Sequence, residues 1–163
     1  MSAAVPAPSW ATYSPRILRC AVLCSTFRSS PSRRGPPSRR ATSATRCEFV
    51  AGDFFTAVPE GHDLYTLFAI VHDWDDERCT TILGNIRRAM APGARVLVTE
   101  MPVPEGPAPS FAKVMDLEML ILTGSGRERT AAEYRALFGR AGFAVQREIP
   151  LPSLFTVFEL AAA

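Results

Sequence analysis

The sequence predicts an α/β fold built on a parallel sheet that is incomplete at its N-terminal side. Two apolar runs, DLYTLFAIV (Asp63 to Val71) and RVLVTE (Arg95 to Glu100), are typical of strands buried in such a sheet. Helical patterns lie between and after these runs, and the alternation of strands with helices indicates the class. The two or three units that open a complete fold of this kind are absent from the pattern.

A change in composition at Cys47 separates two kinds of polypeptide. Residues 1–46 hold eight arginines and no acidic residue, whereas residues 47–163 hold ten basic and sixteen acidic residues. The first stretch is rich in Ser, Pro and Arg without a period of 2 or 3.6, so we expect it to be irregular or disordered. The second is the predicted folded part of a 163-residue chain that is 47% hydrophobic, enough for one domain.

The first elements after Cys47 lead from strand to helix. Residues 47–52 (CEFVAG) predict a short strand that runs into an Asp53-Phe54-Phe55 turn. The run from Asp63 to Val71 predicts a strand buried on both faces. Asp75 and Asp76 then place carboxylates where a helix dipole favours them, and Pro92-Gly93 ends the helical stripe of Ile82, Ile86, Ala89 and Met90.

The remaining elements follow a Pro-rich loop, MPVPEGPAPS. Residues 111–122 predict an apolar helix, and Thr130 with Glu133 has capping-box spacing for a helix that ends at Gly142. Residues 143–149 and 155–160 predict the last two strands.

Composition excludes several function classes. No apolar run approaches the roughly 20 residues of a membrane span, so we expect no membrane partner. The four cysteines and two histidines show no zinc-ligand spacing, so no metal site is predicted, and without a secretory signal the expected compartment is the cytoplasm. A mitochondrial transit peptide or a nucleic-acid arm remains an alternative for residues 1–46, but Pro and Gly break amphipathic helices and no aromatic residue or Lys interleaves with the arginines.

Polar residues follow the ends of both buried strands, at the sheet edge where α/β folds bind ligands. His72, in the run HDWDDE, could act as a general base near neutral pH, or could be a histidine satisfied at a strand–helix junction. Glu100 ends the next strand and should emerge at the same edge. Glu128 lies in a Gly-flanked loop and could equally be a solvated charge or an ion-pair partner of a neighbouring Arg. Asp53 could accept a hydrogen bond from a ligand while Phe54 stacks on a flat ring.

Five motifs in order, GDFF, HDWDDE, RVLVTE, DLEML and GRERT followed by AGF, resemble the S-adenosylmethionine-dependent O-methyltransferases of the caffeate and bacterial polyketide type. The resemblance covers residues 47–163, which would be the C-terminal part of the catalytic domain. It implies a Rossmann-like class I methyltransferase fold, S-adenosylmethionine as cofactor, and a hydroxyl of a small aromatic or polyketide-type acceptor as substrate. It also implies a homodimer, but the helical N-terminal dimerisation domain of the family is absent here.

The resemblance assigns a role to each motif residue. His72 would remove the proton of the acceptor hydroxyl, and Glu100 and Glu128 would flank it. Phe68 stands where plant relatives carry a basic residue near the cofactor, so that contact is a departure from the family. Met119 lies in an apolar helix whose other residues could be mostly core. The resemblance also implies residues that bind the cofactor, namely Asp53, Phe54 and Phe68. It implies residues that bind the acceptor, namely Asp73, Trp74, Met119 and Thr123.

The family's glycine loop, D-V-G-G-G-x-G, and its later F-D-L-P motif do not occur in residues 1–46. Residues 1–9 and 23–30 can both be encoded so that one shifted frame restores these two motifs at about the family's spacing. We therefore expect that residues 1–46 are an out-of-frame reading of the cofactor-binding segment, with the true frame resuming shortly before Cys47.

Three alternatives to an active methyltransferase remain open. The chain could be a non-catalytic remnant that does not bind the cofactor, and such a remnant could be unstable because half a parallel sheet exposes an unpaired edge. It could be a basic-tailed nucleic-acid binder, which the acidic folded part disfavours, so no nucleic-acid partner is expected. It could also use the same pocket for another reaction on the same substrate class.

Overall fold

The computed structural model describes residues 20–25 and 47–163, which form two sheets and three helices. Strand β1 (Cys20–Ser25) pairs in parallel with β2 (Cys47–Gly52) in a two-stranded sheet. The composition of residues 1–46 did not indicate β1. The rest of that segment, including the residues of the shifted-frame hypothesis outside β1, lies outside the described residues.

A four-stranded sheet carries the remaining strands in the order β3-β4-β6-β5. Strands β3 and β4 are parallel, whereas β6 is antiparallel to both of its neighbours. The strands are β3 (Leu64–Phe68), β4 (Arg95–Glu100), β5 (Phe143–Pro150) and β6 (Thr156–Ala162), and the helices are α1 (Asp76–Ala89), α2 (Phe111–Thr123) and α3 (Ala131–Arg140). The predicted α/β class is confirmed, with the last two strands folded back as an antiparallel pair.

The first apolar run forms a shorter and more exposed strand than predicted. Strand β3 ends at Phe68, and residues 71–73 form a 3-10 turn instead of continuing the strand. Its faces are not both buried: Leu64 and Phe68, which share one face of the strand, are 42% and 62% exposed, because no element among the described residues covers that face. The apolar sequence alone could not show that this face would be left uncovered.

Both predicted helix starts are confirmed. The carboxylate of Asp75 accepts the backbone N–H of Arg78 and caps α1. Thr130 accepts the backbone N–H of Glu133, whose carboxylate accepts the N–H of Thr130, which is the full capping box of α3. These hydrogen bonds fix the N-termini of α1 and α3.

The core lies where α1 and α3 cover the inner face of the sheet. Leu137 and Phe138 of α3 pack with Phe158 of β6, and the rings of Phe138 and Phe158 meet edge to face at 5.5 Å. Ile82 of α1 and Val98 of β4 complete this layer. None of the helices in the described ranges has the length and apolar character needed to cross a bilayer.

Candidate active site

His72 lies in the 3-10 turn at the C-terminal end of β3, above the edge of the sheet. Ala69 starts this turn with a φ of 51°, a left-handed conformation, while its N–H still donates to the carbonyl of Thr99 on β4. The chain therefore leaves the sheet abruptly after Phe68. This explains why the predicted strand stops early and why residues 71–73 rise over the edge.

Glu100, the last residue of β4, supports this turn from the sheet. Its side chain is fully buried, and Oε1 accepts the backbone N–H groups of Ile70 (3.1 Å) and Val71 (2.7 Å). Its second oxygen, Oε2, has no hydrogen-bond donor and lies 3.6 Å from Nδ1 of His72. One carboxylate therefore holds the turn and also faces the imidazole.

Glu128 approaches His72 from the loop between α2 and α3. Its backbone N–H donates to Oδ1 of Asp116 on α2 at 2.9 Å, and its side chain is buried. Oε1 of Glu128 lies 3.0 Å from Nδ1 of His72. The alternative of a solvated charge at Glu128 is therefore wrong in this fold, because the carboxylate faces the imidazole away from solvent.

The partners of His72 indicate which ring nitrogen carries its proton. A carboxylate only accepts hydrogen bonds, so Glu128 favours the tautomer with the proton on Nδ1. Nε2 is then the free base, and Oδ1 of Asp73 lies 3.4 Å from it. The His72 side chain retains 13% of its exposure, so the ring is enclosed but still reachable.

Two opposing effects set the protonation of this cluster. Burial alone would lower the pKa of His72, but the hydrogen bond to Glu128 and the charges of Glu100, Glu128 and Asp73 outweigh it and raise that pKa. Burial raises the pKa of Glu100 to about 7, against the opposing influence of His72 and of the N–H groups of Val71 and Ile70. Burial also raises the pKa of Asp73. The cluster thus contains groups that exchange protons near neutral pH.

The Gly126 loop packs directly on the His72 turn. The N–H of Arg127 donates to the carbonyl of His72 at 2.9 Å. A Cβ at Gly126 would stand 2.5 Å from that carbonyl oxygen and 2.9 Å from the carbonyl carbon of Asp73. Glycine at this position therefore permits the close approach that brings Glu128 to His72.

The residues expected on the cofactor side lie in two places. Phe54 and Phe55 pack edge-on with Trp74 at 6.2 and 4.8 Å, which joins the GDFF turn to the segment after His72. Asp53 accepts the N–H of Phe55 and the hydroxyl of Thr56 within its own turn. Phe68 lies apart from this group and stacks at 5.2 Å on Phe155 of the loop before β6.

The role of the GDFF turn at the adenine side of S-adenosylmethionine stays a prediction, and its exposed acceptors agree with that role. Asp53 is exposed, and its oxygens retain lone pairs for a donor on a ligand. Together with Gly52 and Thr56 it lines an open, mostly apolar pocket completed by Val50, Ala57, Val58 and Pro59.

Two of the residues expected to contact the acceptor, Met119 and Thr123, lie on α2. Met119 is buried at the inner face of the helix. The hydroxyl of Thr123 donates to the carbonyl of Met119 and accepts the N–H of Gly126, so it anchors the Gly126 loop. The role of Thr123 in acceptor binding stays a prediction, with its hydroxyl already engaged in both directions.

Sequence reasoning missed two residues that position the cluster, Asp116 and Arg129. Asp116 stands within the quoted motif DLEML, and Arg129 within GRERT, but neither pattern indicates which backbone group its side chain meets. In the structure, Oδ1 of Asp116 accepts the backbone N–H of Glu128, and Arg129 is completely buried behind the His72 turn.

A cation is one further possibility for the cluster. His72, Glu100 and Glu128 each bring one ligand atom within 4.8 Å of the others. The nitrogen that a metal ion would need is Nδ1, which is the atom that meets Glu128 in the hydrogen bond described above. The geometry therefore favours a proton between these two groups.

Comparison with known proteins identifies the family of the chain. The O-methyltransferase domain family matches residues 34–144. Phenazine O-methyltransferase PhzM of Lysobacter antibioticus is 46% identical over 114 residues, 70% of this chain and 33% of the relative. Mitomycin biosynthesis 6-O-methyltransferase of Streptomyces lavendulae is 43% identical over 107 residues, 66% and 30% of the two chains. The chain thus spans about a third of the length of the curated relatives it matches.

Solved structures give the same result for the fold. LaPhzM superimposes with a TM-score of 0.71 at 43% identity, over 75% of this chain and 36% of that one. CalO1, a methyltransferase of calicheamicin biosynthesis in its S-adenosylhomocysteine-bound form, gives 0.71 at 35% identity over 88% and 41%. The class I methyltransferase fold expected from the resemblance is confirmed, and the chain belongs to the O-methyltransferase domain family.

Proposed function

We propose that residues 47–163 are the C-terminal catalytic part of an enzyme for the S-adenosylmethionine-dependent methylation of a hydroxyl group on a small aromatic or polyketide-type acceptor, with His72 as the general base. The observation that carries the proposal is the orientation of one imidazole between carboxylates. Nδ1 meets Glu128 at 3.0 Å, so Nε2 is left to accept a proton at the partly open side of the cluster.

The residues of this chain would handle the proton of the reaction. When bound, S-adenosylmethionine would supply a methyl group on a positively charged sulfur, with neutral S-adenosylhomocysteine as the leaving group. Nε2 of His72 takes the hydroxyl proton as the oxygen attacks. Glu128 and Glu100 stabilise the resulting imidazolium, because both carboxylates face Nδ1. Asp73 lies beside Nε2, where its carboxylate would accept a hydrogen bond from a second polar group of the substrate.

The aromatic acceptor class is supported by the relatives. NcsB1 was solved with S-adenosylmethionine and 2-hydroxy-5-methyl naphthoic acid, and matches this chain at 37% identity with a TM-score of 0.65 over 74% of this chain and 34% of that one. Trp74 lies beside the His72 turn, where its ring packs edge-on against Phe55 and the guanidinium of Arg78 lies 5.3 Å from the ring centre. The resemblance implies that the acceptor contacts this residue. The thioether of Met119 would adapt to the edge of the acceptor ring.

Replacement of His72 tests the proposal. We expect His72→Gln to lower kcat by about 10²- to 10⁴-fold on a phenolic acceptor, because the general base is removed. The control is His62→Gln, which replaces the other histidine of the chain, two residues before β3. Full activity of His72→Gln would overturn the assignment of the base, as would an equal loss in both variants.

A second candidate function is a non-catalytic remnant of the same enzyme. The observation that favours it is the sequence of residues 1–46, which contains no D-V-G-G-G-x-G loop. Backbone N–H groups of such a loop would hold the methionine part of the cofactor. A chain that folds cooperatively but neither binds S-adenosylmethionine nor methylates any phenol would support this candidate.

A further inference from the structure

A buried guanidinium lies behind the turn that carries His72. Arg129 is 0% exposed, and its Nη1 donates to the carbonyl of Val71 at 3.1 Å while Nη2 donates to the carbonyl of Trp74 at 2.9 Å. These two carbonyls lie on either side of His72 and Asp73. Arg129 therefore holds the backbone of the turn at both ends.

The same guanidinium reaches two other elements. Its Nε and Nη2 donate to Oδ1 of Asp76, the first residue of α1, at 3.0 and 2.7 Å. Its Nη1 also donates to the carbonyl of Arg127 at 3.3 Å, one residue before Glu128. The His72 turn, the start of α1 and the Glu128 loop thus meet at one side chain.

We propose that Arg129 is a positioning residue that sets the distance between Nδ1 of His72 and Oε1 of Glu128. The inference rests on the proposed role of His72 as the base. Arg129 follows Glu128 directly in the chain and binds the backbone around His72, so a change in the guanidinium shifts the two partners relative to each other. The planar fork with five N–H donors serves these acceptors at once, which the single ammonium of lysine does not.

The lysine variant separates geometry from charge. Arg129→Lys keeps the positive charge near the cluster, so a change in the pKa of His72 reports the altered contact with Glu128 and not a lost charge. The charged groups that face His72 are Asp73, Glu100 and Glu128, and the variant removes none of these charges. The whole chain is used, and the imidazole Cε1–H resonance is followed against pH by NMR. A His62→Gln background leaves one histidine signal.

We expect the pKa of His72 to fall in Arg129→Lys toward its ordinary value of about 6.5, because the raising contact with Glu128 lengthens. Arg140→Lys is the matched control, since Arg140 also donates to Asp76 but from an exposed position on α3. An unchanged His72 titration in Arg129→Lys would overturn the proposal, and so would an equal fall in Arg140→Lys.

A second variant covers the case in which Arg129→Lys fails to fold. Asp76→Asn weakens the anchor of the guanidinium at a partly exposed position, and Glu77→Gln removes the same charge from the next, exposed residue. The pKa of His72 should fall further in Asp76→Asn than in Glu77→Gln, and equal values would refute the positioning role. Because titration is independent of turnover, an active His72→Gln variant would remove the base assignment without affecting this result.

Discussion

Oε1 of Glu100 accepts the backbone N–H of Val71 at 2.7 Å, so a fully buried carboxylate holds the turn of the candidate base to the end of a neighbouring strand. Its other oxygen has no donor and faces the imidazole of His72. A buried carboxylate with one unpaired oxygen is costly in its charged form. The cost explains the pKa of about 7 and makes the stability of the fold depend on pH.

We predict that the free energy of unfolding falls as pH rises from about 5 to 8. The folded state binds the proton of Glu100 more tightly than the unfolded chain does, since burial raises its pKa from 4.5 to about 7. That contribution is complete below pH 4.5 and is lost as pH rises through 7, on the order of 3 kcal/mol in all. The raised pKa of His72 acts in the same direction above pH 6.5. Urea unfolding at a series of pH values measures the slope.

The Glu100→Gln variant should flatten this slope. The amide oxygen of Gln can still accept the N–H groups of Ile70 and Val71, while the titrating proton is gone. Glu118→Gln, the same change at an exposed position of α2, should leave the slope as in the wild type. A Glu100→Gln slope as steep as that of the wild type would show that Glu100 does not cause the pH dependence.

Two glycine-to-alanine changes should alter the free energy of unfolding in opposite directions. Gly126→Ala places a Cβ 2.5 Å from the carbonyl oxygen of His72, so the loop must move and the free energy of unfolding should fall by about 1–3 kcal/mol. Gly139→Ala lies inside α3 with no neighbour within 4 Å, and the better helix propensity of Ala should add about 0.5–1 kcal/mol. Chemical denaturation measures both, and an unchanged Gly126→Ala would contradict the close approach.

Local signals in the sequence predicted more of the fold than of the site. The caps at Asp75 and Thr130 act on backbone groups three positions away, so carboxylates at a helix start and capping-box spacing were enough to predict the two helix starts. His72 and Glu100 were expected at one edge of the sheet and Glu128 beside His72 only from the resemblance, and the structure brings all three together.

The contacts that fix this geometry join residues that are distant in sequence. Asp76 and Arg129 stand 53 positions apart, and no spacing rule pairs them. The exposure of Phe68 had the same origin, because an apolar run does not reveal whether another element will pack on its face of the sheet. Packing between elements decides both, and it follows from the assembled fold.

We predict that the chain binds S-adenosylmethionine weakly or not at all. Asp53 and its pocket address the adenine side of the cofactor, but residues 1–46 hold no glycine loop to supply N–H groups to the methionine part. Isothermal titration of the whole chain should therefore show no saturation at micromolar concentrations. Micromolar binding that Asp53→Asn weakens would contradict this prediction and place the cofactor at the GDFF turn.

We also predict that resequencing of the coding DNA upstream of Cys47 will reveal a shifted frame. The acid-free, Arg/Ser/Pro-rich composition of residues 1–46 is what a high-GC gene yields when read out of frame, and one shifted reading can restore both D-V-G-G-G-x-G and F-D-L-P. A single corrected base would then join these motifs in frame to GDFF. The repaired chain should bind S-adenosylmethionine, which provides the direct comparison for every His72 variant. If the bases stand as translated, the shifted-frame hypothesis is wrong, and cooperative thermal unfolding by circular dichroism becomes the measurement that decides between an enzyme and a remnant.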